Sequence, residues 1–381
     1  MGVIHEPENE SPKAVQPRIL STADWHLGHR RVPTADTIND IRKWLFPKLS
    51  ECDILCIIGD IFDGEVSLNS HDANLIIDLL ADILIRCFEC NIIVRVVRGT
   101  FTHDNLQNNI FTRLYGKLGV PVDYALMDNL SVEHIDRFNI DIMYMPDNLP
   151  YRNKNDVLDA AKTLLVANNM KYVHYVLIHG EFDHMVFGHV NANAYNSKDF
   201  VDICNGLLLA GHIHKPHRHK NIIYTGSFNR LAHNEEEAKG FWMIRGMKST
   251  FFENMDATKF ITVDYRDETN FEVLLAKHIE IVKQFGTERL GFLRLVIVDT
   301  NLKQAIAGYH NTNHPNIKLT FKHAIKSDHA SKYLSEKLKK KQIEVLEVPS
   351  LKNISAIVCK HLSAKGIHMS LKIAESIING G

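Results

Sequence analysis

The sequence predicts an α/β layered domain, followed by a small α+β unit and a helical tail. Three observations carry this. Short apolar runs recur along the first two thirds of the chain, each ending in polar residues. Stretches of helical period separate them. The pattern then restarts near Asp256–Thr258. Runs of four to eight apolar residues bounded by turn residues fit strands of a sheet covered on both faces, and their alternation with helices fits an α/β layered arrangement.

The elements follow in order. Residues 1–17 are polar, hold Pro7, Pro12 and Pro17, and read as a loose leader. RILST, DILCII, IIVRVV, YVLI, LLLA and NIIYTGS read as strands, and GFWMIRG and STFFEN as closing strands, giving a first domain over 18–257. Between them, Asp72–Phe88 places Leu75, Ile76, Leu79, Leu80, Ile83 and Leu84 on one wide stripe and reads as a helix. Residues 258–335 read strand (KFITVDYR), helix (NFEVLLAKHIEIVKQFG), strand (FLRLVIVDT), short helix (near NLKQAIAGYH) and strand (IKLTFKHA). The basic linker EKLKKKQ opens a tail, 336–381, with two short apolar-faced helices.

Composition narrows the function. Lys and Arg number 44 against 45 acidic residues, so overall basicity does not supply nucleic-acid binding. Charge is uneven: Asn301–Gly381 holds 13 Lys, no Arg and 5 acidic residues. A cation-binding body with a basic tail fits this, and so does a tail solvated by lysine. No run of 18 apolar residues exists, since Asp78 and Asp82 break the most apolar segment, so no membrane span is expected. The first residues lack the blocks of a signal peptide, and the six cysteines suit a reducing compartment, so a cytoplasmic protein is expected. Cys52/Cys56 and Cys87/Cys90 have zinc-like spacing, but the apolar runs around Cys56 and Cys87 make buried thiols the commoner fate.

The 22 histidines are the unusual feature. Asp24 and His26 follow the first apolar run, Asp60 and Asp63 the second, and His103 and Asp104 the third. His179 follows the fourth, and His212 and His214 the fifth. Strand ends on one edge of an α/β sheet converge on a crevice. A cluster of carboxylates and imidazoles there suits manganese, iron or zinc better than calcium, and one aspartate can bridge two ions. Taken singly, each Gly-Asp or histidine is more often a turn or a packed side chain; five in sequence after strands are not. His29, His71, His134, His174, His184, His217, His219, His310 and His323 join no pattern and read as surface or packing residues.

DWH, GDIFD, THD, HG and GHIH, in this order, resemble the calcineurin-like metallophosphoesterases, and ADWHLGH and YTGSFNR resemble the SbcD/Mre-type nuclease subunits within them. The resemblance covers roughly Arg18 to Trp242. It implies a β-sandwich flanked by helices, with a small capping domain that binds DNA. It also implies two divalent ions, expected to be Mn²⁺ with Mg²⁺ a poorer substitute. Asp24, His26 and His214 would hold the first ion, His179 and His212 the second, and Asp60 would bridge as part of the catalytic centre. His103 would contact the phosphate, and Asp63 and Asp104 would orient the ligands. The family has Gly-Asn-His-Asp after the third strand; here Gly99-Thr100-Phe101-Thr102-His103-Asp104 is two residues longer. Thr102 takes the aligned place of the asparagine, and Thr100 is the other candidate.

The activity so implied is exonuclease and endonuclease cutting of DNA with an SbcC-like coiled-coil ATPase, docked through the C-terminal helices, in recombination, repair or replication. A homodimer is also compatible. Lys215 and Arg218, beside the site, and Lys339, Lys340 and Lys341 in the linker are the candidate phosphate contacts. A small-nucleotide phosphodiesterase of the same fold, or a weakly active scaffold subunit, are the competing expectations.

Overall fold

The structure, a computed structural model, describes residues 16–323 except 68, 148, 152, 186–193 and 287–288. The tail helices and Lys339–Lys341 lie outside the described residues, as does nearly all of the leader. The fold is mixed α/β.

Fifteen strands occur among these residues, in three sheets. They are β1 (Arg18–Thr22), β2 (Ile54–Ile58), β3 (Ile93–Val97), β4 (Tyr124–Met127), β5 (Ser131–Ile135), β6 (Ile140–Met145), β7 (Val173–His179) and β8 (Cys204–Gly211). They continue with β9 (His217–His219), β10 (Ile222–Tyr224), β11 (Gly240–Arg245), β12 (Lys248–Glu253), β13 (Phe260–Asp264), β14 (Gly291–Ile297) and β15 (Ile317–His323). The first sheet has the order β12-β11-β1-β2-β3-β4, parallel from β1 to β4. The second has the order β5-β6-β7-β8-β10-β9, parallel from β6 through β10.

Side-chain alternation explains why the strands read as unbroken apolar runs. In β2 all five residues are buried. Ile54, Cys56 and Ile58 pack against residues of the second sheet, including Leu177 and Leu209. Leu55 and Ile57 join the core beneath the helices. With both faces of β2 covered, neither set of alternate positions meets water, and where a neighbouring strand does carry a buried charge, Arg95 in β3, Glu133 pairs with it. The helices of the first face are α1 (Thr34–Asp40), which continues through a π turn into α2 (Phe46–Leu49), with α3 (His71–Glu89), the short α4 (Phe101–Asp104) and α5 (Asn109–Leu118). Helix α3 starts where Ser70 Oγ accepts the Ala73 N–H at 3.1 Å, and it buries Ile76, Leu79, Leu80, Ile83 and Leu84. On the far face, α6 (Lys154–Ala167) lays Val157, Leu158, Ala161 and Leu165 on the second sheet.

The third sheet is parallel, β13-β14-β15, covered by α7 (Phe271–Val282) and α8 (Thr300–Asn313) around a core of its own. It meets the first part of the chain where Phe260 and Phe292 stack at 4.4 Å beside Val32 and Leu231. There Arg289 Nη2 also lies 2.6 Å from the buried carboxylate of Asp40. Cys52, Cys56 and Cys87 are buried free thiols, and among the described residues no potential metal-holding group includes a cysteine.

Candidate metal centre

The parallel strands of both sheets end at one place. The chain leaving β1 is held to the chain leaving β2 by backbone bonds from Asp24 N to Gly59 O, His26 N to Asp60 O and Leu27 N to Ile61 O, at 3.0, 3.1 and 2.8 Å. The second sheet is tied on by His212, whose N–H donates to both oxygens of Asp24 at 3.0 and 3.1 Å. Glycine permits the closeness: a Cβ on Gly211 would stand 2.1 Å from Ile58 O and 2.8 Å from His179 Nδ1.

The backbone is strained where these side chains sit. Among the described residues, ten non-glycine positions have positive φ. Five are asparagine, which tolerates that region. Of the other five, four are Asp24 (φ 51°), His26 (47°), Asp60 (50°) and His212 (88°). Such conformations cost free energy and persist where surrounding contacts hold them.

Three groups of candidate ligands result, each with its ligating atoms within 4.8 Å of one another: Asp24, His26 and His214; Asp60, His179 and His212; and His26, Asp63 and His103. The first two join residues from both sheets. Asp24, His26, Asp60 and His179 are buried, and His212 is exposed.

Hydrogen bonds turn the ring nitrogens. His26 Nδ1 lies 3.0 Å from Asp63 Oδ1, and His214 Nδ1 lies 3.0 Å from Glu235 Oε1. Each carboxylate accepts the Nδ1 proton and leaves Nε2 as the free lone pair. Those two Nε2 atoms stand 3.1 Å apart. At that distance either one ring carries a second proton and donates to the other, or a metal ion sits between the two nitrogens. Neighbouring ligands about 2.1 Å from one ion would show this spacing at an angle of roughly 95°. His179 Nδ1 donates to Ile58 O at 2.9 Å, which presents its Nε2 to Asp60 Oδ2 at 3.3 Å. The donor set therefore fits divalent ions, as buried His and Asp groupings do.

The electrostatics agree. Burial pushes the Asp60 carboxyl up, but the charge and hydrogen bond of His179, with help from His26 and the Thr100 N–H, hold it well below its usual range. Burial pushes His179 down, but Asp60, Asp24 and Ile58 O raise it. Without a metal, His179 is thus the counter-charge of Asp60.

Asp63 lies between His26 and His103, with His103 Nδ1 at 3.5 Å. Burial raises its carboxyl, and the hydrogen bond and charge of His26 outweigh that. His103 is partly exposed, its ring edge-on to His26 at 4.7 Å. Among the described residues, the hydrogen bonds of Asp104 go to none of the other candidates' side chains. It accepts the N–H groups of Asp60, Ile61, Phe62 and Gly99 and the amide of Asn108, at 2.7–3.2 Å, and so fixes the turns after β2 and β3.

The lengthened segment corrects one expectation. Thr100, not Thr102, stands at the second group. Thr100 N donates to Asp60 Oδ1 at 2.7 Å, and its Oγ1 lies 3.3 Å from both Asp60 Oδ2 and His179 Nε2. Thr102 is exposed on α4. The chain runs extended off β3 as far as Thr100 (ψ 132°), and the helical turn behind it absorbs the extra residues. Arg218 donates from Nε to Lys220 O at 3.1 Å and from Nη1 to Ser249 Oγ at 2.8 Å, and Lys215 is exposed next to His214. His310, read as a surface or packing residue, is fully buried against His278 at 2.9 Å.

Sequence reasoning passed over Glu235 and Lys239. Lys239 is fully buried and Glu235 is mostly buried. Burial raises Glu235, while the hydrogen bond from His214 and the charges of Lys239 and His214 bring it down to about 2. The nearby YTGSFNR stretch was the one signal that could have drawn attention to the loop after β10.

No helix among the described residues is long and apolar enough to cross a membrane. No family model and no curated protein matches the chain. Solved structures do match, among them one at a TM-score of 0.38 and 14% identity, over 62% of this chain and 100% of the other; so distant a likeness says nothing of what this chain does.

Proposed function

We propose that the chain is a manganese-dependent phosphodiester hydrolase that cuts DNA, the nuclease subunit of an SbcD/Mre-type pair with a coiled-coil ATPase. Its paired sheets between helices would be the metallophosphoesterase layering. The observation that carries this reading is the pair of ligand groups, Asp24/His26/His214 and Asp60/His179/His212, at the ends of the parallel strands, with His103 beside His26.

When bound, two divalent ions would neutralise phosphate charge and make a water acidic enough to attack phosphorus. The chain's own residues do the rest. Asp60, grouped with His179 and His212, would also serve the ion held by Asp24, His26 and His214. Asp63 holds His26 and, at longer range, His103, whose exposed edge can meet a phosphate oxygen or give a proton to the leaving oxygen. Thr100 offers a hydroxyl where an amide oxygen would be the stronger donor. Lys215 can pair with a DNA phosphate.

The ATPase would dock on the helices of 350–381, and DNA would also meet the lysines at 339–341, both outside the described residues. A dimer in a cytoplasmic setting accords with the same reading. The test is digestion of linear DNA against a small chromogenic phosphodiester in Mn²⁺, with and without the ATPase. DNA cutting that the ATPase stimulates is expected. Turnover of the small ester alone would favour the small-nucleotide reading, and turnover of neither would favour the scaffold reading.

A further inference from the structure

We infer that Glu235 is a positioning residue for His214: it fixes which ring nitrogen of this metal ligand faces the crevice, and so sets how tightly the first ion is held. The inference rests on the metal reading above.

Glu235 lies 21 residues beyond His214, in the loop that follows β10. Its Oε1 takes the His214 Nδ1 proton at 3.0 Å. Its Oε2 is held by Leu231 N at 3.2 Å and by Lys239 Nζ at 3.0 Å. The same ammonium group donates to His214 O and to Glu237 Oε1, both at 2.8 Å. Lys239 therefore grips the backbone of His214 while Glu235 grips its ring. An ionised carboxylate can only accept, so it allows one ring orientation and one tautomer, and it makes Nε2 a better electron donor. The arrangement mirrors Asp63 on His26, so the two imidazoles that face each other at 3.1 Å are each backed by a carboxylate. Two carboxylates, Glu235 and Glu237, surround one buried ammonium.

Glu235→Gln tests this because the amide keeps the size and loses the acceptor-only character. With its oxygen toward His214, its NH₂ meets the Leu231 N–H and the Lys239 ammonium, donor against donor. With its NH₂ toward His214, the Nδ1 must accept and the proton moves to Nε2, which cannot then ligate. Titration of the full chain with Mn²⁺, followed by electron paramagnetic resonance of the free ion, should show one ion bound about 10–100-fold more weakly in E235Q. A proton spectrum of the metal-free chain should show a downfield Nδ1–H signal, assigned with His214→Ala, that E235Q removes. A residue that only neutralises Lys239 would lower the melting temperature and leave the affinity as it was. Unchanged Mn²⁺ affinity in a folded E235Q, or no such signal in the unmutated chain, overturns the role of Glu235. An unmutated chain that takes up no Mn²⁺ overturns the metal reading and this role with it.

Discussion

His26 and His214 follow strands of different sheets, yet their Nε2 atoms lie 3.1 Å apart. Each ring is locked from behind by a carboxylate. The contact relates fold to chemistry, because only the face-to-face packing of the two sheets brings these strand ends together.

His103 separates chemistry from binding. Its ring touches His26 and its Nδ1 faces Asp63, on the exposed side of the cluster. His103→Ala should lower turnover on DNA by roughly 10²–10⁴-fold, with bound metal unchanged. Loss of an ion along with turnover would make His103 a ligand instead.

Thr100 and Thr102 should behave differently although they are two residues apart. Thr100→Ala should weaken the ion held by Asp60, His179 and His212, and Thr100→Asn should hold it at least as well as threonine does. Thr102→Ala should leave it unchanged. Mn²⁺ titration decides; the opposite order would return Thr102 to the site.

Gly211 lies where the two sheets touch. An added Cβ would meet Ile58 O, the acceptor of the His179 ring proton, at 2.1 Å. Gly211→Ala should lower the melting temperature and weaken the second ion at the same time, because both depend on that carbonyl. A variant with normal stability and normal metal content would show that the contact relaxes freely.

The β13–β15 unit should be sensitive to acid. Burial, with His310 and His314 nearby, holds the imidazole of His278 down at about 4 against an ordinary 6.5. Between those values the unfolded chain binds a proton that the folded chain refuses. Stability is thus fully present above pH 6.5 and is lost as pH falls toward 4. A buffer series of thermal melts should show this unit melting several degrees lower at the acid end, and His278→Gln should flatten the slope. An equally steep slope in that variant would place the effect elsewhere.

Legibility in the sequence followed burial. The strands β1, β2, β3, β7 and β8 read clearly because both faces are covered. β4 and β5 went unread: they lie at sheet edges and are half-buried, YALM is only four residues long, and Glu133 and His134 break SVEHI. In β6 the run is broken by Asp141, whose carboxylate is satisfied by His134 at 2.8 Å. The site was legible where ligands directly follow strands. Thr100 was obscured because counting residues cannot say which part of a lengthened turn moves. Glu235 was obscured because a loop carboxylate that acts through another side chain leaves no periodicity.

The most direct test is where metal goes. Crystals soaked in Mn²⁺ should show two anomalous peaks, one among Asp24, His26 and His214 and one among Asp60, His179 and His212, and Asp60→Ala should lose both. Peaks elsewhere, no peak at either group, or full metal content in Asp60→Ala would contradict a two-ion centre at the meeting of the two sheets.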